Sequence, residues 1–145
     1  MAQKAKKLLG VDYGMARTGL AHSDDLGMFA VAMGNVKSYN PAKAAVEVAA
    51  KAEEIGAETI VIGKPMNMDG TSGEKVKLTE EFAALIAEHT DIPIVFYDER
   101  LSTVSAHRIL SEGMGVKAKK HKNVVDSLAA EIILQSYMDT QKNKI

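Results

Sequence analysis

Apolar and polar positions alternate between two periods along the chain. Residues 6–13 run apolar through Leu8-Leu9-Gly10-Val11 and predict a buried strand. Gly14-Met15 allows a tight turn, and residues 17–23 read as a second strand. Asp24-Asp25-Leu26-Gly27 is turn chemistry, and residues 28–37 form a third strand. The three follow one another too closely for intervening helices, so they predict an antiparallel meander.

The period then lengthens. Asn40-Pro41 reads as an N-cap followed by proline at the first helical position. Val46, Ala49, Ala50 and Ala57 recur at helical spacing, and Gly56 suits the stop. Thr59-Ile60-Val61-Ile62 predicts a central parallel strand, and residues 64–73 form a polar, Gly-rich loop. Thr71 and Glu74 have capping-box spacing ahead of a helix from about 74 to 89. Residues 92–97 form the last strand, and Ser102 caps a short helix ending near Gly113. A basic loop from Lys117 to Lys122 precedes a final helix over about 124–139. Its expected core stripe is Val125, Leu128, Ala129, Ile132, Ile133 and Tyr137. The order βββαβαβαα, with right-handed crossovers, predicts one mixed α/β domain over 1–145.

Composition narrows the chemistry. The 145 residues contain no cysteine, which excludes disulfides, zinc-thiolate sites and a thiol nucleophile and suits a reducing cytoplasm. No signal peptide or span of membrane-crossing length is apparent. With a net charge of −1, nucleic-acid binding needs a local basic patch.

Three carboxylates stand in apolar settings. Asp12 ends the first strand, Glu99 follows the run Ile92–Asp98, and Asp126 lies within Val124–Ala130. An ionised acid ending a buried run is costly unless something pairs with it. In parallel α/β sheets ligands gather beyond the carboxyl ends of strands, where Asp12 and Glu99 fall. Gly10, on the Asp12 face, leaves open space beside the carboxylate, and strand alternation points Asp98 away from Glu99. Three hard oxygen donors favour Mg²⁺ or Mn²⁺ over zinc. Blander readings stand beside this one: Asp12 as a turn cap, Glu99-Arg100 as a surface pair, Asp126 as a helix-capping residue. The Asp12-Tyr13-Gly14 hairpin is also similar to the phosphate hairpin of the actin and sugar-kinase fold. That fold encloses its nucleotide between two domains, and this chain has room for one.

Four blocks together resemble the RuvX (YqgF) family of the ribonuclease H-like superfamily. They are Gly10–Gly14 with Arg17, Gly19 and Ser23-Asp24; Ile62–Gly70; Asp98–Thr103; and Asp126 with Ala129, Ala130, Ile133, Leu134 and Gln135. The resemblance implies a sheet of order 3-2-1-4-5 with strand 2 antiparallel. It also implies that Asp12, Glu99 and Asp126 gather around Mg²⁺ and cut a phosphodiester, in 5′-end maturation of precursor 16S rRNA. The alternatives are a Holliday junction resolvase and a non-catalytic ribosome-associated RNA-binding module. Ala16 and Lys64 depart from the residues the family often has there.

Arg17, Lys64, Asn67, Arg100, Lys119, Lys120 and Lys122 are the candidate nucleic-acid contacts, with Lys117 and His121 in the same basic loop. Precursor rRNA is the favoured partner, branched DNA the second, and ribosomal particles a third. No apolar dimer stripe is apparent, so a monomer or weak homodimer is expected.

Overall fold

The computed structural model describes residues 5–66, 69–70, 73–102 and 122–142, with the backbone alone at 101–102 and 122–126. Strands β1 (Leu8–Asp12), β2 (Arg17–Ser23) and β3 (Ala30–Lys37) are followed by helix α1 (Pro41–Ile55). Strand β4 (Thr59–Lys64), helix α2 (Glu74–Ala87) and strand β5 (Ile94–Asp98) come next. A 3₁₀ turn (Glu99–Ser102) and helix α3 (Lys122–Lys142) complete the described chain. The sheet order is β3-β2-β1-β4-β5. The meander is antiparallel and β1-β4-β5 is parallel, as expected.

Local chemistry accounts for α1. The Asn40 side chain accepts hydrogen bonds from the amides of Ala42 and Lys43 at 2.9 and 3.3 Å, and Pro41 opens the helix. Gly56, at φ 71°, ends it in the left-handed conformation that a Cβ would disfavour. The buried stripe is rotated from the expected one: Ala44, Ala45, Val48, Ala49 and Ala52 face the sheet, while Val46 and Ala50 are exposed. Alanines let the helix approach the sheet closely, and the larger Val46 is turned outward. Helix α2 begins with Gly73 at its cap and no side-chain cap bond, so Glu74 is the first helical residue rather than the third position of a capping box. Thr71 lies outside the described residues, as does the stretch after Ser102 expected to form a short helix.

Both faces of the sheet are covered. Leu9, Val11, Ile60 and Ile62 pack with Val48, Phe82 and Ile86 from α1 and α2. On the other face Ala21, Val61 and Tyr97 pack with Ala130, Ile133, Leu134 and Met138 of α3. Fully burying each large aliphatic side chain contributes about 1.5–3 kcal/mol. The α3 stripe is rotated too: Leu128, Ala130, Ile133, Leu134 and Met138 are buried, whereas Ala129, Ile132 and Tyr137 are partly exposed. The expected Val125 lies outside the described side chains.

Gly10 does not face open space. A Cβ there would meet Leu134 Cβ at 2.7 Å and the Ala130 carbonyl oxygen at 3.2 Å, because α3 crosses the strand at that point. Gln141 and Lys142 line a hollow with Leu8 and Thr59, at the start of β1 and β4. Helix α3 therefore runs opposite to β1, and its first turns lie toward the Asp12 end.

Strand β3 is a sheet edge, and α3 shields it. The amides of Ala30 and Ala32 donate to Gln135 Oε1 at 2.8 Å and Glu131 Oε1 at 3.3 Å, which occupies donors a second chain would otherwise use. Leu26, Met28, Phe29 and Val31 are exposed at the β2–β3 turn and the start of β3. Among the described residues no helix is long and apolar enough to cross a membrane.

Candidate active site

Asp12 is the last residue of β1, opposite Gly19 of β2. The parallel register sets Gly10 beside Val61 and Val11 beside Ile62, so the next positions, Asp12 and Gly63, are neighbours on one face. Gly63 in turn pairs with Tyr97, two residues before Glu99. Asp12, Gly63 and Glu99 thus form a row across the carboxyl edge of the sheet. All three line a cavity of about 370 Å³, together with Tyr13, Gly14, Lys75 and Thr79.

Three features hold this cavity open. A Cβ on Gly63 would lie 3.1 Å from Glu99 Cδ and 2.5 Å from Ile133 Cδ1, so the missing side chain makes the room that Glu99 occupies. A Cβ on Gly14 would lie 2.4 Å from the Arg17 carbonyl oxygen, which restricts this tight β1–β2 turn to glycine. Tyr13 stacks on Phe82 of α2, with ring centroids 4.2 Å apart and planes at 22°, and forms a rigid wall. Burial, aided by the charge of Glu81, raises the Tyr13 hydroxyl above its ordinary range.

Burial also raises Glu99 above the usual carboxylate range; the nearby Asp98 charge adds to this, and Lys75 opposes it. Asp98 behaves in the opposite sense. Arg100 grips it, with Nη2 2.6 Å from Oδ2 and Nε 3.0 Å from the same oxygen, and the Arg100 amide donates to Oδ1 at 3.0 Å. These bonds hold Asp98 below its ordinary value despite partial burial. The adjacent carboxylates therefore have separate roles, as strand alternation predicts: Arg100 pairs with Asp98, not Glu99.

The other expected residues divide. Arg17 opens β2 two positions before Gly19, hence on the Asp12 face. Lys64 follows Gly63 and lies on the opposite face, where its Nζ is 3.2 Å from Glu80 Oε2 and 5.2 Å from the Phe96 ring centroid. Asp126 lies in the first turns of α3, one helical turn before Ala130, at the Asp12 end; its side chain is outside the described set. Lys122 starts that helix, again with backbone alone, and Asn67, Lys119 and Lys120 lie outside the described residues. Among the described residues no three histidine, cysteine or acidic side chains come together as a metal cage. Asp12 and Glu99 supply two oxygen donors to one cavity, a donor set suited to a hard cation.

Lys75 and Thr79 were not anticipated from the chain. Both belong to α2, on the far face of the sheet from α3, and reach the cavity because α2 starts at the carboxyl edge. The available signal was that Lys75 falls in the first turn of the helix after the Gly-rich block Ile62–Gly70.

Comparison with known proteins bears on the family and the fold. The family described as "RuvX: Holliday junction resolvase" matches residues 6–140. A protein named "Putative pre-16S rRNA nuclease" from Ruminiclostridium cellulolyticum is 43% identical over 134 residues, 92% of this chain and 94% of that one. One of the same name from Acetivibrio thermocellus is 41% identical over 137 residues, 93% and 96% of the two chains. Among solved structures, T. thermophilus RuvC in complex with Holliday junction substrate aligns with TM-score 0.66 at 14% identity, over 94% of this chain and 97% of that one. Fowlpox virus resolvase with Holliday junction DNA aligns with TM-score 0.56 at 14% identity, over 93% and 98%. At that identity the likeness is one of fold.

Proposed function

This chain belongs to the RuvX family, and from that premise we propose that it is a divalent-metal-dependent endonuclease that matures the 5′ end of precursor 16S rRNA. The observation that carries this reading is the meeting of Asp12 and Glu99 in one cavity at the carboxyl edge, below the α3 turn that bears Asp126. The names of relatives about 40% identical favour precursor rRNA over branched DNA.

Asp12, Glu99 and Asp126 would hold Mg²⁺ or Mn²⁺. The bound cation would polarise a phosphoryl oxygen and make water a nucleophile at neutral pH. The protein's own part is positional. Asp12 is set by the β1 ladder and Glu99 by the 3₁₀ turn and the gap at Gly63, and the packing of α3 across Gly10 would bring Asp126 to them. Burial makes Glu99 reluctant to ionise, and a cation beside it would favour the carboxylate. Arg17, Arg100 and the basic residues Lys119, Lys120 and Lys122 would attract the phosphate backbone around the cut, with Asn67 and Lys64 as further contacts. Residues 1–145 would act as one cytoplasmic domain, monomeric or weakly dimeric, on ribosomal particles or free precursor.

The test is cleavage of labelled precursor 16S RNA, unstructured RNA and four-way DNA, with Mg²⁺ or with EDTA. Cutting of the precursor at its 5′ junction, abolished by EDTA and by Asp12→Asn, is the expected result. Cutting of the four-way DNA alone would replace rRNA by branched DNA as substrate. Equal cleavage by parent and Asp12→Asn would overturn the mechanism.

A further inference from the structure

The cavity gathers acidic groups to receive a polymer that is itself an anion. Asp12 and Glu99 both line it, and the α3 turn carrying Asp126 lies at the same edge. A phosphodiester entering this space is repelled unless cationic groups stand on its path. Of the candidate cations on described residues, Lys64 is tied to Glu80 on the other face, Arg100 pairs with Asp98, and Arg17, on the Asp12 face, stands outside the cavity lining. Lys75 is different: it is the cationic side chain among the residues that line the cavity.

Its placement comes from helix packing. Val76, Thr79 and Phe82 anchor the start of α2 in the core, and Thr79 Oγ1 donates to the Lys75 carbonyl at 2.8 Å. The Lys75 backbone is therefore held firmly while its side chain is exposed. Helix α2 covers one face of the sheet and α3 the other, yet both begin at the carboxyl edge. Lys75 thus stands across the cavity from the α3 side, close enough to act electrostatically on Glu99.

Resting on the nuclease reading above, we propose that Lys75 binds a phosphate of the nucleic-acid strand seated over Asp12 and Glu99, and so positions the substrate in the cavity. A lysine suits this place. Its ammonium is a compact charge on a flexible stem with three donors, able to follow a phosphate without a fixed approach angle. It needs no base edge, so the contact gives affinity and register along the strand and no sequence preference.

The experiment separates this claim from the nuclease reading. Binding of a labelled RNA spanning a precursor 16S 5′ junction is measured in EDTA, over a series of salt concentrations, for Asp12→Asn alone and with Lys75→Ala, Lys75→Arg or Lys75→Glu. Lys75→Ala should weaken binding on the order of tenfold and lower the slope of log K against log salt by about 1. Lys75→Arg should keep most of the affinity, and Lys75→Glu should lose more than alanine. All should melt with the Asp12→Asn parent, since the side chain is exposed. In the otherwise natural protein, Lys75→Ala should slow single-turnover cleavage at low RNA and recover at saturating RNA. An unchanged affinity and salt slope in Lys75→Ala overturns the assignment, whether or not the parent cuts RNA. Failure of the parent to cut overturns the nuclease reading instead, and the binding series still decides Lys75.

Discussion

Glu99 occupies the space that a side chain on Gly63 would fill: a Cβ there would come within 3.1 Å of its Cδ and within 2.5 Å of Ile133 Cδ1. The acid is thus packed against the sheet on one side and faces the cavity on the other.

Gly63→Ala should therefore cost about 1–3 kcal/mol of stability through overpacking and should displace Glu99. Ile133→Val removes the Cδ1 atom responsible for the closer contact, so the two substitutions should be non-additive. The double variant should be more stable than the sum of the singles predicts, while cleavage stays low because Glu99 is still displaced. Urea unfolding of the four proteins gives the coupling; additive losses would show that Ile133 does not set the fit.

Burial raises Glu99, and the sign of its effect on stability follows. A group whose folded pKa is raised gives stability that is complete below its unfolded value and is lost as pH rises through the folded value. Without divalent ions, Glu99→Gln should be more stable than the parent at pH 7, and the difference should vanish below about pH 4. Added Mg²⁺ should reverse the order, since a ligand at 100 times its Kd stabilises the form that binds it by about 2.7 kcal/mol. Thermal melts with Mg²⁺ and with EDTA test this; equal Mg²⁺ shifts in both proteins would remove Glu99 from the cation site.

The Asp98–Arg100 pair has the opposite pH signature. Asp98 is held low by Arg100, so its contribution is present above the ordinary carboxylate pKa and is lost as pH falls through the depressed value. The side chains are 25% and 31% exposed, and solvent screening limits the pair to about 1 kcal/mol. Asp98→Asn should lose about that much at pH 7 and little at pH 2. Denaturation at both pH values measures it, and a loss that persists at pH 2 would assign the effect to packing rather than charge.

Much of the architecture was readable along the chain, because its signals are local. Leu8–Val11 and Ile60–Ile62 are apolar runs bounded by turn residues, and the Asn40 cap, Pro41 and Gly56 bracket α1 by backbone chemistry confined to a few residues. The short spacing of the first three strands leaves room for a meander and nothing else. Strand alternation separated Asp98 from Glu99 and carried Asp12 and Glu99 to one edge.

Other features needed the packed molecule. Helices α1 and α3 carry apolar residues around more than one face, so the chain alone did not say which stripe turns inward; contact with the sheet left Val46 outside and buried Ala130 and Leu134. Gly10 reads as a gap until α3 crosses it. Lys75 stands far from Asp12 in sequence and on a helix across the sheet from α3, and only the common start of α2 and α3 at the carboxyl edge brings it into the cavity. Hydrogen-bonded ladders and caps join near neighbours and leave a pattern in the sequence. The orientation of one layer on another is chosen by close packing among distant residues, and it was this packing that decided what surrounds Asp12.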